Sequence, residues 1–218
     1  MRDNFRSIIF DFDYTLADSS KGVVECVNYA LNGLGLSPAD PQLICRTIGF
    51  SLPDTFVKLA GRENMEKGPE FIRLFTKRAD EVMAELTVVY ECVPMAIRRL
   101  KQNKVMLGIV SSKYRYRIEG ILRRENLREA FEVIIGGEDV AHHKPDPTGL
   151  QNAIDKLNIP PAQVLFIGDS VVDAETARRG GVAFAAVLSG MTQEEDFDQY
   201  AVIKKSHDLM QMADWLIT

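Results

Sequence analysis

Cysteine is scarce in this chain: three in 218 residues, Cys26, Cys45 and Cys92, odd in number and far apart. That argues against a disulfide framework. With no CxxC and no neighbouring Cys/His pair, it also argues against a thiolate zinc site. Reduced thiols of this kind point to the cytoplasm. No apolar run approaches the ~20 residues of a membrane span. Residues 1–6 lead straight into an apolar stretch without the long hydrophobic region of a signal peptide. Basic residues do not dominate: 26 Lys and Arg stand against 31 Asp and Glu, a formal net charge of -5. Nucleic acid is therefore not expected as the main partner. A small anionic ligand stays open, because a bound divalent ion can reverse the local field. Low-complexity tracts and internal repeats are missing too, which argues against disorder. What is present is a 46% hydrophobic chain, long enough for one large core and a smaller satellite domain.

Its organising stretch is Ile8-Ile9-Phe10-Asp11-Phe12-Asp13-Tyr14-Thr15-Leu16. The apolar run reads as a buried strand. Side chains at i and i+2 of a strand point the same way, so Asp11 and Asp13 leave its C-terminal end together, where open α/β sheets bind ligands. Two carboxylates that close repel unless a cation sits with them. The pair suggests a metal site, a nucleophile with an acid–base partner, or both. A strand end followed by a helix cap is the simpler reading.

From residue 20 to about 83 the pattern is helical, with apolar positions such as Val23, Val27 and Leu31 at helical spacing and no strand candidate. After residue 90 helices and strands alternate. Strands are expected at Val105–Val110, Phe131–Ile135, Val164–Ile167 and Ala183–Val187, and helices near 94–103, 114–125, 147–157, 171–179 and 207–216. Alternation of this kind predicts an α/β fold, a Rossmann-like parallel sheet with helices on both faces. The helical block would be an inserted all-helical cap. The expected domains are residues 1–16 with 84–218 as catalytic core and 17–83 as cap.

Three further stretches fall where strands end. Ser111, followed by Ser112, leaves its strand just before a helix, where a hydroxyl and free N–H groups make an anion site; capping the helix is an equal alternative. Lys144-Pro145-Asp146-Pro147 places Lys144 in a stiff loop, suited to neutralising a phosphate or a carboxylate. Asp146 reads as the following helix's N-cap and Pro147 as its first residue. The neighbouring His142 and His143 read as solvated loop residues. Gly168-Asp169-Ser170-Val171-Val172-Asp173 again ends a strand in an acid, and Ser170 with Asp173 also matches a capping box. Hard oxygen ligands without His or Cys favour Mg²⁺ over Zn²⁺. An Asp carboxylate can also serve as a covalent nucleophile in aspartyl-phosphate chemistry.

Taken in order, Asp-x-Asp-x-Thr-Leu, Ser111, Lys-Pro and Gly-Asp-Ser-x-x-Asp resemble the four motifs of the haloacid dehalogenase superfamily. The likeness spans essentially the whole chain and favours the phosphoglycolate phosphatase-like branch with its small helical cap. The resemblance implies Asp11 as nucleophile and Asp13 as general acid and base. It implies Mg²⁺ held by Asp11, the carbonyl of Asp13 and Asp169, with Asp173 supporting the metal's waters. Ser111, with Ser112, would bind the phosphoryl oxygens, and Lys144 would stabilise Asp11 and the transferred group. An acid at position 13 favours phosphate over halide chemistry.

Two positions depart from the family. Tyr14 stands where Gly is common, and would suit the turn only if no positive φ is required. Ser111-Ser112 replaces a frequent Thr-Asn. The expected activity is Mg²⁺-dependent hydrolysis of a small phosphorylated metabolite by a monomer or homodimer, without nucleic acid or membrane. A sugar phosphomutase of the β-phosphoglucomutase type is the alternative, and a non-catalytic binding module a more distant one. Arg46, Lys58 and Arg62 are cap cations that could touch a second anion on the substrate, or simply be solvated helix faces.

Overall fold

The computed structural model describes residues 5–218. Along the chain run β1 (Ser7–Phe10), β2 (Ala17–Asp18), α1 (Ser20–Gly33), α2 (Pro41–Cys45), α3 (Leu52–Ala60) and α4 (Gly68–Leu86). Then come β3 (Val88–Val89), α5 (Val93–Gln102), β4 (Met106–Val110), α6 (Arg115–Arg124), β5 (Val133–Ile135) and α7 (Thr148–Leu157). The last elements are β6 (Val164–Gly168), α8 (Val171–Gly180), β7 (Ala183–Val187), β8 (Val202–Ser206) and α9 (Leu209–Ile217). Two compact units result: the chain through Ala17 together with Val89–Thr218, and Asp18–Val88.

In the larger unit, among the described residues, six strands form one sheet in the order β5-β4-β1-β6-β7-β8. Every neighbouring pair is parallel. Strand alternation divides the apolar side chains between two cores. Ile8, Phe10, Leu107, Ile109, Leu165 and Ile167 face one, with α5, α6 and α9 residues such as Ile97, Ile118 and Met212. Ile9, Val110, Phe166 and Phe184 face the other, with Leu150, Ile154 and Ala177 from α7 and α8. Burial on both faces explains why these strands read as unbroken apolar runs.

β1 lies at the centre of the sheet. The chain builds outward from it through β4 and β5 on one side, then crosses back to β6 on the other. The C-terminal ends of β4, β1 and β6 therefore meet at a topological switch point, the crevice where open α/β sheets take ligands.

β8 has no counterpart in the sequence reading. Its residues Val-Ile-Lys-Lys-Ser are mostly half-buried, with lysines on the sheet's edge, where charge discourages pairing with another chain. That composition hides it from a search for buried strands. The helix after the Lys-Pro loop begins at Thr148 rather than Pro147, and Asp146 Oδ1 accepts from the Thr148 N–H at 2.9 Å.

The smaller unit is helical and has its own core. Cys26, Val27 and Leu31 of α1 meet Ile44, Phe56, Phe71, Phe75 and Met83, and the Phe56 and Phe71 rings stack at 4.7 Å. α1 and α4 approach closely at glycine: a β-carbon on Gly22 would lie 2.7 Å from Met83 Sδ. Ser51 caps α3 by accepting from Asp54 N–H, and Gly61 closes it at φ 83.

Candidate active site

Asp11 follows the last residue of β1, and its N–H donates to the Ile167 carbonyl at 2.9 Å. This bond carries the β1–β6 pairing one residue past the strand and sets Asp11 beside Asp169, the residue after Gly168. Asp11, Asp169 and Asp173 are all buried, and each offers a carboxylate oxygen within 4.8 Å of the others. Lys144 stands among them: its Nζ is 2.9 Å from Asp11 Oδ1 and 2.6 Å from Asp173 Oδ1.

The two oxygens of Asp173 divide their work. Oδ1 faces Lys144, while Oδ2 accepts from the Ser170 hydroxyl at 2.6 Å and from the Ser170 N–H at 3.2 Å. The capping box of α8 therefore orients an acid of the cluster. Gly168 makes room for it, since a β-carbon there would lie 2.5 Å from Asp173 Oδ2. Asp169 accepts from the Thr15 hydroxyl at 3.3 Å.

Electrostatics follow from this crowding. Burial, joined by the charge of Asp173, pushes the Asp11 carboxyl up to about 6 despite Lys144. Burial and the charges of Asp173 and Asp11 hold Asp169 well above the usual carboxylate range. Burial opposes the charge on Lys144, but the Asp11 and Asp173 carboxylates outweigh it and raise its pKa.

Asp13 stands apart from the acid cluster. Both its oxygens contact Lys113 Nζ, at 2.9 and 3.2 Å. Lys113 carried no assignment in the sequence reading; its signal is position, two residues past Ser111 at the end of β4, next to β1. Ser111 is buried, and its N–H donates to the Ile135 carbonyl at 3.0 Å. Neither Ser111 nor Ser112 caps α6: Tyr114 occupies the cap position, and Glu138 accepts from the Arg115 N–H.

Tyr14 adopts φ 60, so the turn does take the left-handed conformation that Gly would occupy without strain. The surroundings over-determine it. Its side chain is buried, its N–H donates to Ala17 O at 2.7 Å, and the Ser189 hydroxyl donates to its carbonyl. In the helical unit Arg46 and Arg62 are exposed, and Lys58 lies over the Phe50 ring at 4.8 Å.

The acid cluster fits a divalent cation. Fully ionised, the three buried carboxylates would outnumber the one ammonium by two charges. Burying such charge without a counter-ion is unfavourable, and the raised pKa values of Asp11 and Asp169 express that cost. All three donors are hard oxygens, suited to Mg²⁺.

Comparison with known proteins identifies the family. The model of the haloacid dehalogenase-like hydrolases matches residues 8–187. Over 207 residues the chain is 30% identical to pyrophosphatase PpaX of Bacillus mycoides, covering 94% of each. It is 28% identical over 209 residues to a phosphoglycolate phosphatase of Aquifex aeolicus, covering 96% and 97%. Among solved structures, a haloacid dehalogenase-like hydrolase from Bacteroides fragilis superposes with a TM-score of 0.92 at 42% identity, over 95% of this chain and 99% of that one. The chain belongs to the haloacid dehalogenase-like hydrolases. Among the described residues, no helix is long and apolar enough to cross a membrane.

Proposed function

We propose that this hydrolase is a cytoplasmic phosphatase acting on a small phosphorylated metabolite, a phosphoglycolate-like monoester, through an aspartyl-phosphate on Asp11. The observation that supports this most is the buried acid cluster around Lys144 at the ends of β1 and β6. Asp11 attacks phosphorus and the bond to the leaving oxygen breaks. Asp13 gives that oxygen its proton. Asp13 then takes a proton from the water that hydrolyses the acyl phosphate, releasing inorganic phosphate and restoring Asp11. Ser111, with Ser112, donates to the phosphoryl oxygens, and Lys144 neutralises charge on Asp11 and the transferred group.

Mg²⁺ would be held by the Asp11 and Asp169 carboxylates and the Asp13 carbonyl, with Asp173 supporting its waters. When bound it neutralises charge on the phosphoryl oxygens. The names of the relatives bracket the substrate: a phosphoglycolate phosphatase supports the monoester reading, and pyrophosphatase PpaX makes an anhydride the competing substrate class.

A phosphate-release panel with Mg²⁺ tests the proposal, using phosphoglycolate, pyrophosphate and sugar phosphates. Release from phosphoglycolate or a similar small monoester is the expected result. Interconversion of sugar phosphates without release would replace it with the phosphomutase reading. Release from pyrophosphate alone would move the substrate class from esters to anhydrides.

A further inference from the structure

The hydrolysis described above makes no use of Lys113, yet few lysines are held so closely. Its side chain is only 5% exposed. The ammonium contacts both oxygens of Asp13, at 2.9 and 3.2 Å, and lies 5.9 Å from the centre of the Phe12 ring.

The backbone around it is fixed as well. The Lys113 N–H donates to Ser111 Oγ at 3.4 Å, and its carbonyl accepts from Gly137 N–H at 3.1 Å. Gly137 cannot be enlarged without displacing this segment, since a β-carbon there would lie 2.4 Å from the Ser112 carbonyl oxygen. The lysine is thus presented from a locked connection between β4 and α6.

Asp13, by contrast, sits in a tight turn. Leu16 and Ala17 N–H groups both reach back to the Phe12 carbonyl, at 2.9 and 3.1 Å. A turn sets where the Asp13 backbone lies but not how its carboxylate rotates. The Lys113 ammonium, touching both oxygens, constrains that rotation. A lysine on a mobile surface would surrender the contact to solvent, but this one is buried and anchored. Ordering a lysine is entropically costly, and here the cost is met at a residue that handles protons.

The geometry points to Lys113 as a positioning residue: its ammonium holds the Asp13 carboxylate in the orientation from which it exchanges a proton with the leaving oxygen. This rests on the reading of Asp13 as general acid and base. Misplacement of a reacting group by about 1 Å costs on the order of 10²-fold in rate.

The test compares wild type, Lys113→Gln, Asp13→Asn and the double variant on two substrates. One is an alkyl phosphate, whose leaving oxygen needs a proton. The other is p-nitrophenyl phosphate, whose leaving group departs as the anion. The expected result is a fall in kcat/KM of about 10²-fold for Lys113→Gln on the alkyl substrate, with a much smaller fall on the aryl one. The double variant should be no slower than Asp13→Asn alone on either substrate. Mg²⁺ affinity, measured by calorimetry, should be unchanged in Lys113→Gln.

An equal fall on both substrates, or an additive loss in the double variant, would overturn the role. Should Lys113→Gln fail to fold, the double variant carries the test, because removing both charges leaves neither buried unpaired. Wild-type kcat/KM on the alkyl phosphate in Asp13→Asn would mean that the acid–base reading itself has failed. Impaired Asp13→Asn beside an unselective Lys113→Gln would defeat only the positioning role.

Discussion

Gly190 stands so close to Asp169 that a β-carbon built on it would lie 1.9 Å from Asp169 Oδ2. The loop after β7 therefore walls in one acid of the cluster, and only a residue without a side chain leaves that acid in place. Gly190→Ala must displace either the loop or the carboxylate. The expected outcome is a loss of Mg²⁺ affinity of about 10–100-fold, the usual range for disturbing a metal ligand's support. Calorimetric titration with Mg²⁺ measures it, and a thermal melt separates it from unfolding. Unchanged affinity in a folded variant would mean that the loop gives way and the Asp169 carboxylate stays in place.

Tyr14 offers a reversal of the usual ranking of Ala and Gly. At φ 60 an L-residue is strained by roughly 1–2 kcal/mol. Its buried side chain works in the other direction, because truncating a buried aromatic to Ala costs about 3–5 kcal/mol. Both Tyr14→Ala and Tyr14→Gly should therefore destabilise the protein. Tyr14→Gly should be the less damaged by about 1 kcal/mol, since Ala keeps the strain and Gly does not. Urea unfolding of the two variants decides the order. Greater stability in Tyr14→Ala would mean that the turn relaxes out of the left-handed region.

What the sequence revealed and what it hid divide along a physical line. β1, β4, β6 and β7 are buried on both faces, so their apolar runs stood out, and with them the acids and the serine at their ends. Lys144 was legible because Pro145 and Pro147 bracket its loop. Asp173 was legible twice over, as cap and as acid, and the structure uses its two oxygens for both. β8 was not legible, because an edge strand with two lysines lacks a buried strand's signature. Neither were the partners made by folding: Lys113 meets Asp13 across 100 residues, and Ser189 meets Tyr14 across 175. No local period encodes such pairs. Gly190 belongs with them, since its reason for being Gly is a carboxylate from another strand end.

Metal dependence is expected from the acid cluster, where three buried carboxylates gather around one ammonium. Removing divalent ions with EDTA should abolish phosphate release, and Mg²⁺ should restore it better than Ca²⁺. Ca²⁺ takes more ligands at longer distances than Mg²⁺, which would misplace Asp11 with respect to phosphorus. Undiminished turnover in a chelated, metal-free sample would exclude a metal-dependent reaction.

Asp11 and Asp13 sit in different surroundings, one in the acid cluster with Lys144 and the other on Lys113. Their amide variants should accordingly fail in different ways. On the proposed roles, Asp11→Asn removes the nucleophile and an anionic donor to the metal site at once, so turnover should fall to background. Asp13→Asn, on the same roles, keeps its backbone carbonyl and loses proton transfer, typically ~10²–10⁴-fold in rate, together with its ion pair to Lys113. With an aryl phosphate, whose leaving group needs no proton, its first step should recover. Its second step should stay slow, because the water that attacks the aspartyl-phosphate still lacks a base. Labelled phosphoenzyme should therefore accumulate in Asp13→Asn, and rapid quenching with radiolabelled substrate would reveal it. Label on Asp11→Asn, or wild-type turnover of an alkyl phosphate by Asp13→Asn, would overturn the division of roles.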